Sequence, residues 1–92
     1  MVRIQHDEHR QRYQAWADGQ PAGVCEYEAQ GGPVRLVHTQ VEPAFEGQGV
    51  GSALARFALE DCRAHGRQVV PACTFIRDYI ARHAEFADLL AR

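Results

Sequence analysis

The sequence predicts a single α+β domain, with a sheet and helices packed as an α/β sandwich in the order β-β-β-β-α-β-α. Two observations support this. Up to residue 41, apolar and polar residues alternate between turn signals, which indicates an antiparallel meander. Beyond a glycine-rich segment the apolar spacing changes to three and four residues, which indicates amphipathic helices. At 92 residues the chain has the size of one small domain, spanning 1–92.

The first part of the chain contains four predicted strands. The fourth is the most apolar, and the second and third alternate most regularly. Asp-Gly-Gln-Pro at 18–21 and Gln-Gly-Gly-Pro at 30–33 are turn signals between strands. The predicted strands are Val2–His6, Arg12–Ala17, Ala22–Glu28 and Val34–Val41.

The second part is predicted to hold two helices around a short strand. The first helix covers Ala53–Ala64, with Gly66 as its C-terminal cap. Residues 68–71 form the strand, and the second helix runs from Thr74 to about His83, followed by a short turn at 84–90. A strand-helix-strand crossover is right-handed and joins parallel strands. We therefore expect a mixed, mostly antiparallel sheet with one parallel pair.

Composition excludes several classes of function. The net charge is −2 and the acidic residues and arginines are interspersed, so neither a nucleic-acid nor a membrane partner is expected. No apolar run approaches the length of a membrane span and no leader pattern is visible, so we expect a cytoplasmic protein. Cys25, Cys62 and Cys73 form no close pairs, which favours reduced thiols and predicts no metal site. The oligomeric state stays open from the sequence, with a monomer slightly favoured.

The segment from Glu46 to Ser52 carries the strongest functional signal. Glycines at alternate positions permit sharp turns and the close approach of a ligand. The first amides of a helix are unpaired, and its N-terminus is electropositive, so this segment predicts a phosphate or diphosphate site. A P-loop is excluded because the chain has no lysine, and a Rossmann fingerprint because the glycine spacing differs. A turn without a ligand is the alternative. The predicted binding residues are Gly47, Gln48, Gly49, Val50, Gly51 and Ser52.

This segment resembles the acyl-CoA-binding motif of the GNAT superfamily of N-acyltransferases. The motif reads Arg/Gln-x-x-Gly-x-Gly/Ala, and its glycine positions fall on Gly49 and Gly51 after a Val-x-Pro at 41–43. Glu46 departs from the pattern, because the first motif position is usually basic or an amide. The acidic side chain either weakens diphosphate binding or points into solvent.

A closer resemblance, to a subgroup of minimal single-domain GNAT-like proteins, covers most of the chain. It rests on a His-Thr pair at 38–39 before the glycine segment and on a Pro-x-Cys at 71–73 after it. Thr74 and Ala84 stand where proline is common in that subgroup. The resemblance implies a GNAT-like fold in which the two parallel strands splay apart at the acyl-CoA site. It also implies acetyl-CoA or CoA as the co-substrate.

The resemblance also suggests roles for single residues. Main-chain groups of Thr39, Gln40 and Val41 would pair with the pantetheine arm like an added strand, and Cys73 would contact the cofactor.

Three side chains are candidate catalytic groups. Cys73 precedes a helix, whose dipole favours the nucleophilic thiolate, but it is equally explained as a small residue beside CoA. His38 is a candidate base, or a hydrogen-bonded core histidine. Tyr79 is a candidate proton donor to the leaving CoA thiolate, or a core residue, and His83 is predicted to cap its helix.

The predicted function is therefore acetyl transfer from acetyl-CoA to a small-molecule or peptide amine. The amine either attacks the thioester directly or receives the acetyl group from an acylated Cys73. A non-catalytic CoA-binding module is the alternative, and an interaction domain without a ligand is the third hypothesis. The identity of the acceptor is not readable from the sequence.

Overall fold

The structure, a computed structural model, describes residues 1–91. It contains one five-stranded sheet with the strands in chain order, β1 to β5. The first four strands pair antiparallel, and β4 pairs with β5 in parallel across the α1 crossover. The elements are β1 Val2–Asp7, β2 Arg12–Ala17, β3 Gln20–Glu28, β4 Val34–Val41, α1 Val50–Ala64, β5 Val69–Pro71 and α2 Thr74–Arg82, with short 3₁₀ turns at Pro43–Phe45 and Ala84–Leu89.

The predicted element order is confirmed, and so is the parallel pair. The clearest difference concerns α1, which begins at Val50 and not at Ala53. Gly51 therefore lies in the first turn of the helix, although glycine disfavours helix interiors. The structure makes it helical because Val50 is 1% exposed and packs in the core, which draws the first turn onto the sheet. The predicted cap at Gly66 is confirmed by its φ of 65° and by the hydrogen bond from the Arg67 amide to the Cys62 carbonyl, 2.9 Å.

The core lies between α1 and one face of the sheet. Alternate residues of β2 and β3, including Tyr13 and Cys25, point toward α1, whose Leu54 and Leu59 are fully buried. The opposite face of the sheet carries polar side chains and no helix among the described residues. None of the helices in residues 1–91 has both the length and the apolar character to cross a bilayer.

A β-bulge divides β4 into two halves, and the alternation of inward and outward side chains is reversed from one half to the other. Tyr27 faces Leu36 and Glu26 faces His38, so Val37 has no partner on β3. Without this extra residue, strict alternation would turn His38 inward beneath the helices. With it, Thr39 takes the inward position and His38 is exposed on the open face.

The parallel strands separate soon after they pair. Only Val34–Leu36 of β4 are in register with Val69–Pro71 of β5. Beyond Leu36, β4 continues to Val41 while the chain leaves β5 for α2. The predicted splay is therefore present, as a gap beside the second half of β4.

Candidate functional site

The glycine segment forms a turn that opens directly into α1. Gly47 and Gly49 have φ angles of 80° and 78°, a left-handed conformation that favours glycine. Gly49 is the N-cap of α1, and no side chain caps the helix there. The first intrahelical bond is donated by the Ala53 amide to the Gly49 carbonyl, 3.0 Å. The amides of residues 50–52 therefore lack helical partners and suit an anionic ligand.

A cavity of about 360 Å³ lies against this turn. Val41 at the end of β4 and Phe75 on α2 line its sides, so the cavity extends from the glycine turn to the end of β4 and the start of α2. Glu46 also lines it and is exposed. The full lining is Val41, Phe45, Glu46, Gly47, Gly49, Val50, Gly51, Ser52 and Phe75.

Main-chain groups of β4 face the gap at alternate residues. The Glu42 amide donates to the Ala22 carbonyl at 2.8 Å, so even-numbered residues of this half-strand are turned toward β3. Thr39 and Val41 are then turned toward the gap, whereas the main chain of Gln40 is turned toward β3. Of the three predicted strand contacts for pantetheine, two thus have main-chain groups turned toward the gap, and the Thr39 amide also lies against Cys73.

Cys73 is the N-cap of α2 and lies at the gap, half-buried. Burial by itself raises the pKa of its thiol. The amides of Ile76 and Phe75 and the hydroxyl and amide of Thr39 outweigh burial, and the pKa is held below its usual value. The prediction that the start of α2 favours a thiolate is in line with this geometry.

Thr39 connects Cys73 to a second cysteine. The Cys73 thiol donates to Thr39 Oγ1 at 3.7 Å, and that hydroxyl donates to Cys25 Sγ, also at 3.7 Å. Cys25 is fully buried on β3, and burial raises its pKa to about 11. The pKa values of two thiols in one hydrogen-bonded chain are thus shifted in opposite directions, because Cys25 is fully buried whereas Cys73 lies at a helix N-terminus.

His38 and Cys73 lie on opposite faces of the sheet. His38 is exposed, and its ring nitrogen Nε2 is 3.3 Å from Gln40 Oε1. Within residues 1–91, no hydrogen bond joins it to Cys73. The alternative of a buried, hydrogen-bonded core histidine does not hold at this position, because the bulge at Val37 turns the ring outward.

Tyr79 lies on the buried side of α2. It is 6% exposed, and its ring stacks on His83 with the centroids 3.9 Å apart. Its hydroxyl lies near the Arg56 guanidinium, whose pKa is raised chiefly by that phenol group. His83 is the C-cap of α2, and its Nδ1 is 2.8 Å from the Tyr79 carbonyl, as its predicted capping role requires.

Sequence reasoning missed two contributors to this site. Phe75 has the spacing of an apolar helix face on α2, yet it is 41% exposed and borders the cavity. Cys25 is far from Cys73 in the sequence, yet it is joined to Cys73 through Thr39. Both depend on contacts between distant elements, and no local pattern encodes them.

A second cavity, of about 420 Å³, lies at the other end of α1 and is separate from the glycine turn. Its polar side chains bond to one another. Tyr13 donates to Asp61 at 2.8 Å, His6 Nδ1 lies 3.3 Å from the same carboxylate, and His6 Nε2 is 2.7 Å from the Tyr27 hydroxyl. This network ties three strands to α1. Residues 1–91 contain no group of three or more potential metal ligands.

Comparisons with known proteins agree on one family. A family model described as GCN5-related N-acetyl-transferase matches residues 12–89. Protein NATD1 of Xenopus tropicalis is 33% identical over 86 residues, which cover 86% of this chain and 74% of the relative. Protein NATD1 of Mus musculus gives the same identity and coverage.

Solved structures of acetyltransferases share the fold. A GCN5-like protein of Staphylococcus aureus superimposes with a TM-score of 0.73 at 19% identity, covering 97% of this chain and 87% of that one. The ribosomal-protein-S18-alanine N-acetyltransferase of Escherichia coli gives a TM-score of 0.60 at 18% identity and covers 84% of this chain, which spans 48% of that enzyme. The predicted resemblance to the superfamily is confirmed: the chain belongs to the GCN5-related N-acetyltransferase family.

Proposed function

We propose that this protein transfers an acetyl group from acetyl-CoA to an amine. The observation that carries the proposal is one cavity lined by the uncapped start of α1, by Val41 at the end of β4 and by Phe75, two residues after the N-cap Cys73 of α2. Family membership supports the reaction class. The amides would bind the diphosphate, and the free edge of β4 would bind the pantetheine arm.

The fit to acetyl-CoA rests on the main chain. Unpaired N–H groups at the start of α1 supply donors for diphosphate oxygens, and the helix dipole favours the negative charge. Thr39 and Val41 supply strand-edge groups for the pantetheine amides. In our proposal Gly47, Gln48 and Ser52 complete the diphosphate site, and Gln40 contributes only through its side chain.

The thioester would react in the gap, between Cys73 on the helical face and His38 on the open face. In the direct route, the amine nitrogen attacks the thioester carbon, the carbon–sulfur bond breaks, and His38 takes the proton that the amine loses. The leaving CoA thiolate receives a proton, for which Tyr79 is the proposed donor. In the two-step route, the Cys73 thiolate attacks the thioester carbon and the CoA thiolate leaves; the amine then attacks the acyl-enzyme and the Cys73 thiolate is released.

We propose that the acceptor arrives from the open face of the sheet. The bulge turns His38 and Gln40 to that side, where Gln40, Glu26 and Glu42 line a groove of about 330 Å³ that Arg12 also lines. Carboxylates beside a base suit a cationic amine. The three free cysteines fit a reducing compartment, so the cytoplasm is the proposed location.

Release of CoA in the presence of a panel of primary amines tests the reaction. We expect amine-dependent thiol release, with a loss of at least tenfold in His38→Ala. Intact-mass analysis with acetyl-CoA alone separates the routes, since only the two-step route leaves an acetylated Cys73. Binding of CoA without turnover by any amine would support the non-catalytic CoA-binding module and would contradict the enzymatic proposal.

A further inference from the structure

The hydroxyl of Thr39 stands between two thiols that differ in their surroundings. It is 3.7 Å from Cys73 Sγ at the start of α2 and 3.7 Å from Cys25 Sγ on β3. With both thiols protonated, Cys73 donates to Thr39, and Thr39 donates to Cys25. A hydroxyl has one proton to donate, so it can serve only one of the two sulfur atoms as donor at a time.

Ionisation of Cys73 changes which sulfur is the better acceptor. A thiolate accepts a much stronger hydrogen bond than a neutral thiol, and rotation about one side-chain bond is enough to redirect the hydroxyl proton. Cys25 does not compete as an anion, because it is fully buried and burial raises its pKa to about 11.

The other groups around the hydrogen-bonded chain Cys73–Thr39–Cys25 are buried, face away or belong to the backbone. The Thr39 hydroxyl is therefore the partner that can reorient. Cys62 on α1 is the other thiol near Cys25, and its pKa is also raised by burial to about 11. Glu26 and His38 point to the other face of the sheet. The amides of Phe75 and Ile76 at the start of α2 belong to the backbone and keep their positions.

We infer that Thr39 is a positioning residue that exchanges partners with the state of Cys73: its hydroxyl accepts a hydrogen bond from the Cys73 thiol and donates one to the Cys73 thiolate, releasing Cys25. The residue thereby holds the sulfur at the gap in both states. If Cys73 acts as proposed above, Thr39 sets the pH range in which it can attack; the inference itself concerns only the thiol and needs no CoA.

The rate of Cys73 alkylation by iodoacetamide as a function of pH, followed by intact mass and peptide mapping, tests this. Thr39→Val keeps the shape but removes the donor, and its midpoint should rise by about one pH unit. Thr39→Ser should restore the wild-type midpoint. Cys25→Ala removes the sulfur to which Thr39 donates while Cys73 is a neutral thiol, so only the thiol state loses a hydrogen bond. The midpoint of the alkylation profile of this variant should therefore fall, by roughly half a pH unit.

A midpoint that rises in Thr39→Val and falls in Cys25→Ala distinguishes the exchange of hydrogen-bond partners from a general effect of altered packing. Cys73→Ser gives the background from the two buried thiols, and circular dichroism shows whether each variant is folded. If Thr39→Val does not fold, Thr39→Ala replaces it with the same expectation. An unchanged midpoint in the folded Thr39 variant, or a midpoint in Cys25→Ala that does not fall, would overturn the inference.

Discussion

The ring of Phe75 on α2 lies so close to Gly51 on α1 that a β-carbon built on Gly51 would be 2.8 Å from Phe75 Cζ. Real β-carbons do not approach other atoms so closely. Glycine at this position therefore allows the aromatic ring to cover the first turn of α1, beside the amides proposed to bind the diphosphate. The two helices of the site are coupled through this contact.

The first prediction tests that coupling. Alanine is about 1 kcal/mol better than glycine inside a helix, so Gly51→Ala should stabilise the protein by about that amount in a Phe75→Ala background. In the wild-type background the displaced ring should cancel most or all of the gain. Urea unfolding of the two single variants and the double variant measures the difference. Equal effects of Gly51→Ala in both backgrounds would contradict the contact.

A second prediction concerns the turn itself. Gly49 has a φ of 78° and open space around its missing β-carbon, so Gly49→Ala introduces backbone strain without a clash. We expect a loss of about 1 kcal/mol in unfolding free energy and about tenfold weaker CoA binding. Calorimetry with pantetheine, which lacks the diphosphate, is the control. A matching loss of pantetheine affinity would speak against a diphosphate site at these amides.

Glu46 provides a third prediction, because it is exposed and lines the cavity beside the glycine turn. A carboxylate near a bound diphosphate is repulsive, so Glu46→Gln should tighten CoA binding by about two- to fivefold at low salt, and less at high salt. Glu8→Gln, an exposed position in the distant cavity, is the matched control. Unchanged affinity in Glu46→Gln would mean that the side chain points away from the ligand.

A fourth prediction concerns the packing of α1 on the sheet. A β-carbon on Gly23 would lie 2.7 Å from the Gln40 carbonyl oxygen and 3.2 Å from Val50 Cγ1. Because the nearest atom belongs to the backbone, relief requires strand movement, and Gly23→Ala should cost about 2–3 kcal/mol. Gly32→Ala, which meets nothing within 4 Å, should be nearly neutral in the same urea titration. Similar stability of the two variants would refute this packing.

Alkaline pH provides the fifth prediction. Burial raises the pKa of Cys25 and of Cys62 to about 11, above the value of an unfolded thiol. Because the pKa of each thiol is higher in the folded than in the unfolded state, its full contribution to the free energy of unfolding is present below the unfolded pKa near 9. That contribution is lost as the pH rises through 11. Each thiol should account for roughly 2–3 kcal/mol of that loss.

Urea unfolding at about pH 8 and about pH 10.5 measures this decline. Cys62→Ala removes one of the two titrating groups and should show a smaller decline than the wild type. The same decline in both proteins would exclude Cys62 as a source.

The order of the elements, the parallel crossover and the place of the glycine turn could all be predicted from the sequence alone. These depend on local signals: alternation along strands, three- and four-residue spacing along helices, and glycine between them. The approach of Cys73 to a helix N-terminus was also predictable, since both lie within one short segment.

Which side chains come into contact, by contrast, depends on how distant segments pack. The extra residue at Val37 turns Thr39 toward Cys73 and His38 to the open face, and a bulge of this kind is set by pairing with β3. The contact of Phe75 with Gly51 likewise depends on how α1 and α2 pack. Register and packing are properties of segments far apart in the chain, so no local pattern contains them.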